Sequence, residues 1–240
     1  MNYKYPTSQL LFKAMCDAIR EKTGSNNKIA HQDIPDELDN IMTGEEYLAK
    51  TQELYDIIND DHMDMFNSEI ITNVPAHRFF NADISSLNLP KCTSIGDRAF
   101  YNSKLVVIDL PKCTSIGTFA FGCCINLTTV NLPKCTSIGN RAFSLEAWGN
   151  SNLTTVNLPK CASIGENAFM SNAGIEQLIL ANSGVCTLVD GLGCNIRGSI
   201  YVPDNLVSSY KTANNWSTHA NQIKPISELP DNLKEEYGYD

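Results

Sequence analysis

Short runs of alternating apolar and polar positions recur along the middle of the chain. The sequence LTTVNL stands at residues 127–132 and again at residues 153–158, and LVVIDL stands at residues 105–110. Alternation with a period of two predicts a β-strand with one buried face. Val130 and Leu132 would therefore point inward, and Thr129 and Asn131 outward. A proline follows each run and ends the strand, because proline has no backbone N–H to donate.

A second phrase follows each predicted strand and is nearly the same every time. Its four copies begin 21, 22 and 26 residues apart and read LPKCTSIGDRAF (89–100), LPKCTSIGTFAF (110–121), LPKCTSIGNRAF (132–143) and LPKCASIGENAF (158–169). Repetition at such a period indicates a solenoid. With partial copies on either side, we count about six turns between residues 67 and 198.

One unit of this size cannot bury its apolar face alone, so neighbouring units must stack at the strand spacing of about 4.8 Å. Each inward position then becomes a ladder that runs through the solenoid. Glycine recurs at a predicted bend, where a residue without Cβ costs least. The predicted ladders are Ile95, Ile116, Ile138 and Ile164, and Phe79, Phe100, Phe121, Phe143 and Phe169.

The combined pattern L-x-x-V-x-L-P-x-C-x-x-I-G-x-x-A-F resembles the BspA-type bacterial leucine-rich repeats. Phe121-x-x-Cys124-x-x-Leu127 is similar to the segment that joins successive strands in that family. The resemblance covers about half of the chain. It implies an α+β repeat fold, a curved right-handed leucine-rich-repeat solenoid, used for binding and not for catalysis. It does not name the ligand.

Four parts of the chain follow from these patterns. We expect a helical N-terminal module at residues 1–43, an acidic linker helix at 44–66, the solenoid at 67–198, and a C-terminal cap and tail at 199–240.

The predicted cap begins with the sequence IYVPD at residues 200–204, which resembles the strand-helix cap often found on these repeat proteins. Asp204 is placed to cap a helix that runs to about Ala213. We expect the acidic tail from Ser227 to be loosely held.

Residues 18–41 resemble the small N-terminal module of tail-associated structural proteins in bacteriophages and prophages of gut bacteria. This resemblance implies attachment to other phage tail proteins through residues 1–66. The alternative is a helical hairpin that caps the first turn of the solenoid. The acidic helix either assembles the chain into a homo-oligomer, such as a trimer, or packs on the solenoid end.

The outward strand positions form the candidate ligand-binding surface. Small polar groups in register suit hydrogen bonding to a glycan or to a flat protein surface, although any solvated sheet face shows similar groups. An insertion at residues 144–151 adds Trp148, which either anchors a partner or folds over the hydrophobic edge. The candidate residues are Trp148, Thr129, Asn131, Thr155, Asn157 and Asp109.

Charge and hydropathy exclude several other functions. The net charge is −9, and residues 1–66 carry 13 acids against 6 bases, so nucleic acid is an unfavourable partner. No apolar run approaches the roughly 18 residues of a membrane span. The first residues show no secretory signal peptide.

Nine cysteines raise the question of disulfides or a metal. Four of them occupy one repeat position, which predicts a buried column of free thiols whose side chains run parallel. A column does not converge on a tetrahedral zinc ion. The four histidines lie far apart and no catalytic motif is present, so we expect neither an enzyme nor a cofactor.

These observations predict a non-enzymatic binding or structural protein of a phage or prophage virion that presents its repeats for host or surface recognition. The alternative is a bacterial cell-surface adhesin for a host protein or glycan.

Overall fold

A computed structural model describes residues 65–68, 71–146 and 152–239 of the chain. The predicted N-terminal module, nearly all of the predicted linker helix and Trp148 lie outside the described residues.

Two kinds of strand alternate along the described residues and build two parallel sheets side by side. The long strands are β1 (Met65–Asn67), β3 (Ser86–Asn88), β5 (Val107–Asp109), β7 (Thr129–Asn131), β9 (Thr155–Asn157), β11 (Gln177–Ile179) and β13 (Ser199–Val202). The short strands are β2 (Asn73–Val74), β4 (Ser94–Ile95), β6 (Ser115–Ile116), β8 (Ser137–Ile138), β10 (Ser163–Ile164) and β12 (Thr187–Leu188).

Strands of the same kind in successive turns pair in parallel, except β3 and β5, which are not recorded as paired. The short strands form one sheet from β2 to β12. The long strands from β5 to β13 form another, which the later strand β14 (Ile223–Pro225) extends, and β1 pairs with β3. The described residues therefore form a repeat β-solenoid of about seven turns. It has one turn more than we counted from the sequence, because β13 continues the long-strand sheet into the segment assigned to the cap.

The phenylalanine ladder runs through the core as predicted. Adjacent rings have centroids 5.1 to 5.5 Å apart from Phe79 to Phe169, and their planes differ by 14° or less. Each stacked pair contributes about 0.5–1.5 kcal/mol beyond the burial of its area. The predicted isoleucine ladder is buried beside it.

The repeated glycines have a different cause from the bend that we inferred. A Cβ on Gly139 would lie 2.6 Å from the carbonyl carbon of Gly117 and 2.7 Å from the amide nitrogen of Thr118. The backbone at Gly139 does not have a positive φ. Glycine is needed here because the backbone of the preceding turn fills the space of a side chain, and Gly96, Gly117 and Gly165 are equally crowded.

The four cysteines of the repeat are buried free thiols, as predicted. Cys113 Sγ donates to the carbonyl oxygen of Ser115 at 3.3 Å, and Cys135 makes the same contact with Ser137 at 3.2 Å. Burial raises the pKa of Cys113 and of Cys135 to about 12.

The cap closes the last turn with two large side chains. The helix α1 (Val207–Thr212) follows a 3-10 turn at Asp204–Leu206, and Tyr210 and Trp216 are fully buried. Tyr210 Oη accepts a hydrogen bond from the backbone N–H of Cys186 at 2.9 Å, and Trp216 Nε1 donates to the Cys186 carbonyl at 2.6 Å. These two side chains therefore satisfy the backbone N–H and carbonyl of Cys186, which the backbone of a further turn would otherwise bond.

The predicted capping role of Asp204 is wrong. The structure records no side-chain cap bond at the start of either helical segment. Asp204 Oδ1 instead accepts from the backbone N–H of Ser227 at 3.1 Å, which holds the following strand β14 (Ile223–Pro225) and the tail against the cap.

The prediction of a loosely held tail is also wrong. Residues Asp231–Tyr237 form the helix α2, and Leu229 and Leu233 bury against Ile179 and Tyr201. Gly238 ends α2 with φ 72°, a left-handed conformation that suits glycine, and the Tyr239 N–H returns to the carbonyl of Lys234 at 2.9 Å. The prediction failed because it considered only the acidic composition of the tail and not the apolar face of its helix.

Candidate ligand-binding face

One outward position of the first five long strands carries an amide or a carboxylate, and we call this set the amide column. It consists of Asn67, Asn88, Asp109, Asn131 and Asn157. Parallel pairing in register places neighbouring members of the column side by side within β1 and β3 and within β5, β7 and β9. The stacking that builds the core therefore also builds a regular polar surface.

Hydrogen bonds along the amide column share one direction. Asn157 Nδ2 donates to Asn131 Oδ1 at 2.8 Å, and Asn131 Nδ2 donates to Asp109 Oδ1 at 3.0 Å. Asn88 and Asn67 repeat the contact at 2.8 Å. From β9 to β5 the donors point toward a carboxylate, so this part of the column ends at the exposed anionic Asp109.

A second outward position carries mostly hydroxyl groups. Thr129 and Thr155 are half-buried, and Thr155 Oγ1 donates to Gln177 Oε1 at 3.2 Å. On β5 the position is occupied by Val107, whose side chain is 45% exposed. An apolar residue at an exposed strand position leaves a small hydrophobic area two residues from Asp109.

The C-terminal helix covers part of this face. Tyr239 Oη donates to Asn157 Oδ1 at 2.8 Å, and Asn157 is only 2% exposed. Burial raises the pKa of the Tyr239 hydroxyl. Burial also raises the pKa of Tyr237, with further contributions from a hydrogen bond to Glu236 and from the negative charge of Asp109. The end of α2 thus lies over β9 and close to β5.

The structure brings five of the six candidate residues onto one face, and Trp148 lies outside the described residues. Asp109 is exposed, and Thr129, Asn131 and Thr155 are half-buried. Asn157 is not accessible while α2 is docked, because Tyr239 occupies it. The accessible part of the face is therefore its β5 and β7 end.

Sequence reasoning missed the tail residues that cover the face. Leu229, Leu233 and Tyr237 follow each other at intervals of four, which places them on one side of a helix, and Gly238 then supplies the stop signal. Ile179, which pairs with Asn157 in the sheet, is fully buried under this helix.

Neither a metal-binding cluster nor a membrane-spanning helix is found among the described residues. No group of three or more histidine, cysteine, aspartate or glutamate residues in residues 65–68, 71–146 and 152–239 could hold a metal ion. No helix within that part of the chain has the length and apolar character needed to cross a membrane.

A protein-family match agrees with the repeat architecture. Residues 72–188 match the family described as the BspA type leucine-rich repeat region, in six copies. A crystal structure of a leucine-rich repeat protein from Bacteroides ovatus ATCC 8483 is similar to 68% of this chain, with 17% sequence identity and a TM-score of 0.31. The chain spans 57% of the length of that protein. A search of curated proteins found no match.

Proposed function

On the premise that residues 72–188 are a BspA-type leucine-rich repeat region, we propose that this protein is a non-enzymatic recognition protein. Its partner is a protein or glycan surface that contacts the outward face of the long strands. The observation that carries the proposal is the directed amide column, which ends at the exposed carboxylate of Asp109. A surface of in-register polar groups is suited to a flat or linear partner.

The β5 end of the face supplies two complementary contacts. Asp109 accepts hydrogen bonds, as from sugar hydroxyls or from a lysine of a partner protein, and Val107 offers an apolar area beside it. Asn131 already donates to Asp109, which holds the carboxylate in a fixed orientation at 3.0 Å. A fixed acceptor binds with less loss of side-chain entropy than a mobile one.

We further propose that the protein belongs to a phage or prophage particle and attaches to other tail proteins through residues 1–66. The support is the resemblance of residues 18–41 to the N-terminal module of tail-associated proteins. The repeats would then face outward for host or surface recognition.

A bacterial cell-surface adhesin is the second candidate. It is favoured by one feature of the fold: residues 65–239 contain a continuous core and a C-terminal cap of their own. Such a unit can display a binding face on any anchor, including one on the cell envelope.

Fractionation separates the two locations. Prophages are induced in the producing bacterium, particles are purified by density gradient, and an antibody against residues 72–239 is applied to particle and washed-envelope fractions. Signal in the particles supports the virion role, and signal in envelopes of uninduced cells supports the adhesin. Signal in neither fraction contradicts both.

The binding face is tested on the full chain with Asp109→Ala and Asn131→Ala. We expect both variants to lose binding to host cells or glycans, whereas Glu235→Ala, on an exposed position of α2, should keep it. Light scattering of the full chain then shows whether it is a trimer, as assembly through residues 1–66 would predict.

A further inference from the structure

A turn position of the solenoid holds residues that its backbone conformation does not favour. Two residues after each glycine of the repeat, φ is positive, with 52° at Arg98, 54° at Phe119, 52° at Arg141 and 53° at Asn167. Asparagine is the residue other than glycine that adopts this left-handed conformation most readily. Arginine and phenylalanine there are costly, and such strain characteristically marks functional positions.

Two of the three unfavoured residues contact the third across turns. The guanidinium carbon of Arg98 lies 5.1 Å from the centroid of the Phe119 ring, and that of Arg141 lies 5.7 Å from it. Arg98 comes from the turn before and Arg141 from the turn after, so two cations approach one ring. A guanidinium packed against a ring keeps its N–H edge available for bidentate bonds to a carboxylate.

The nearby carboxylates are engaged elsewhere. Asp97 Oδ1 accepts from the backbone N–H of Thr118 at 2.7 Å, Glu166 Oε1 accepts from Asn167 Nδ2 at 3.2 Å, and Glu146 accepts from the hydroxyl of Tyr101. Among the described residues, the structure records no ion pair for Arg98 or Arg141. Two positive charges are thus presented on a protein whose net charge is −9.

Two further aromatic residues extend this surface. The rings of Phe80 and Tyr101 stack with centroids 5.1 Å apart and planes 5° apart, and Tyr101 lies 6.3 Å from Phe119 edge to face. Phe80 is 43% exposed. A Cβ on Gly122 would come within 2.8 Å of the Tyr101 ring, so glycine at this turn makes room for the tyrosine.

We propose that this arginine-aromatic patch, formed by Phe80, Arg98, Tyr101, Phe119 and Arg141, binds a linear acidic polysaccharide. Its carboxylates pair with Arg98 and Arg141, and the apolar C–H groups of its sugar rings pack on the exposed edges of the aromatic rings. The two arginines are two turns apart, which is about 10 Å at the strand spacing. This is about the length of a disaccharide, so a carboxylate on alternate sugars reaches both.

An acidic peptide fits this surface less well. Peptide recognition by a preformed surface relies on a pocket for an anchoring side chain or on a free strand edge. In the patch, Phe80 and Tyr101 stack along the solenoid, Tyr101 meets Phe119 edge to face, and the two arginines lie one turn on either side of Phe119. Cations and aromatic rings that follow one another along successive turns match a polymer with repeated acid groups.

The test uses the full chain and immobilised polygalacturonate, a polymer of carboxylate sugars. The double variant Arg98→Asn/Arg141→Asn removes both cations, and Phe119→Asn removes the ring between them. Lys112→Asn/Lys134→Asn is the matched control, because it removes the same charge from two exposed positions elsewhere on the repeats. We expect the arginine variant to bind roughly a hundredfold more weakly, since each of the two charge-assisted contacts contributes about tenfold.

Thermal unfolding separates binding from folding. We expect the Arg98→Asn/Arg141→Asn variant to unfold at the same temperature as the parent or at a higher one, because asparagine suits the left-handed backbone. Retention of affinity in both asparagine variants would overturn the proposal, as would equal loss in the lysine control. Equal or tighter binding of poly-L-glutamate would assign the patch to a peptide instead. The measurement uses isolated protein, so its outcome does not depend on whether the chain resides in a virion.

Discussion

The close approach of neighbouring turns gives a sharp prediction for Gly139→Ala. The new Cβ would lie 2.6 Å from the carbonyl carbon of Gly117, whereas ordinary contact begins at 3.4 Å. The two turns must therefore separate by almost an ångström at this point. That movement strains the hydrogen bond from the Gly139 N–H to the Ile116 carbonyl, now 2.8 Å, and the ring stack at Phe121 and Phe143.

The expected magnitude follows from two opposing effects. Replacing glycine with alanine restricts the unfolded chain and stabilises a protein by about 0.4–1 kcal/mol where the native site accepts a Cβ. Forcing an extra carbon into a packed site costs about 1–3 kcal/mol. Gly184→Ala is the matched control, because nothing lies within 4 Å of its new Cβ and its φ is not positive. The effect on the unfolded chain is common to both variants and cancels, so they should differ by the packing cost of about 1–3 kcal/mol.

Urea unfolding followed by circular dichroism measures this difference. We expect Gly184→Ala to unfold at an equal or higher urea concentration than the parent, and Gly139→Ala at a clearly lower one. Equal midpoints for the two variants would refute the close-contact argument. The slope of each transition must be compared as well, since a solenoid can lose cooperativity and unfold in parts.

Three further predictions concern the tail, the thiols and the cap. Leu233→Ala should speed hydrogen exchange across residues 231–239 because its packing holds α2 on the face, while Glu235→Ala should leave exchange unchanged and thereby exclude a general effect of truncation. Burial raises the pKa of Cys113 and Cys135 from the ordinary 9.0 to about 12, so the folded chain resists thiolate formation and the free energy of unfolding should fall as pH rises from 9 toward 12. A chain with both cysteines replaced by alanine should show a smaller fall in its urea midpoint over that range, and an identical fall would contradict the assignment. Trp216→Phe should cost about 1–3 kcal/mol, because it leaves the buried Cys186 carbonyl without its donor, and a thermal midpoint equal to that of the parent would contradict this.

The ladders of the solenoid were predictable because the repeat supplies its own register. Once the four phrases are aligned, each residue's neighbours in space are the residues at the same position in adjacent copies. Phe121 had to meet Phe100 and Phe143, and the structure confirms both contacts. The same repeats match the BspA type leucine-rich repeat region over residues 72–188.

Features outside the repeat were harder to predict, since no register connects them to the rest of the chain. The contact between Tyr239 and Asn157 joins residues 82 positions apart. Only the helical spacing of Leu229 and Leu233 indicated that the tail had an apolar face, and nothing in it named the surface that this face would cover.

The arginine-aromatic patch escaped sequence reasoning for a different reason. Arg98 and Arg141 occupy a position whose residue differs between copies of the repeat, which is typical of ordinary solvent-exposed side chains. Their backbone conformation is visible only in the structure. Asn167 at the equivalent position was the one residue whose type was consistent with a left-handed turn.

The cap bonds between Tyr210, Trp216 and Cys186 involve only the last turn of the solenoid. Duplication of an internal unit of about 22 residues would therefore add a turn without altering either end. Unequal recombination between the near-identical repeats would therefore change the number of turns, and with it the length of the solenoid. Each added turn would lengthen the recognition face by about 4.8 Å. Homologous proteins with different numbers of turns could then bind ligands of different length while keeping the same C-terminal cap.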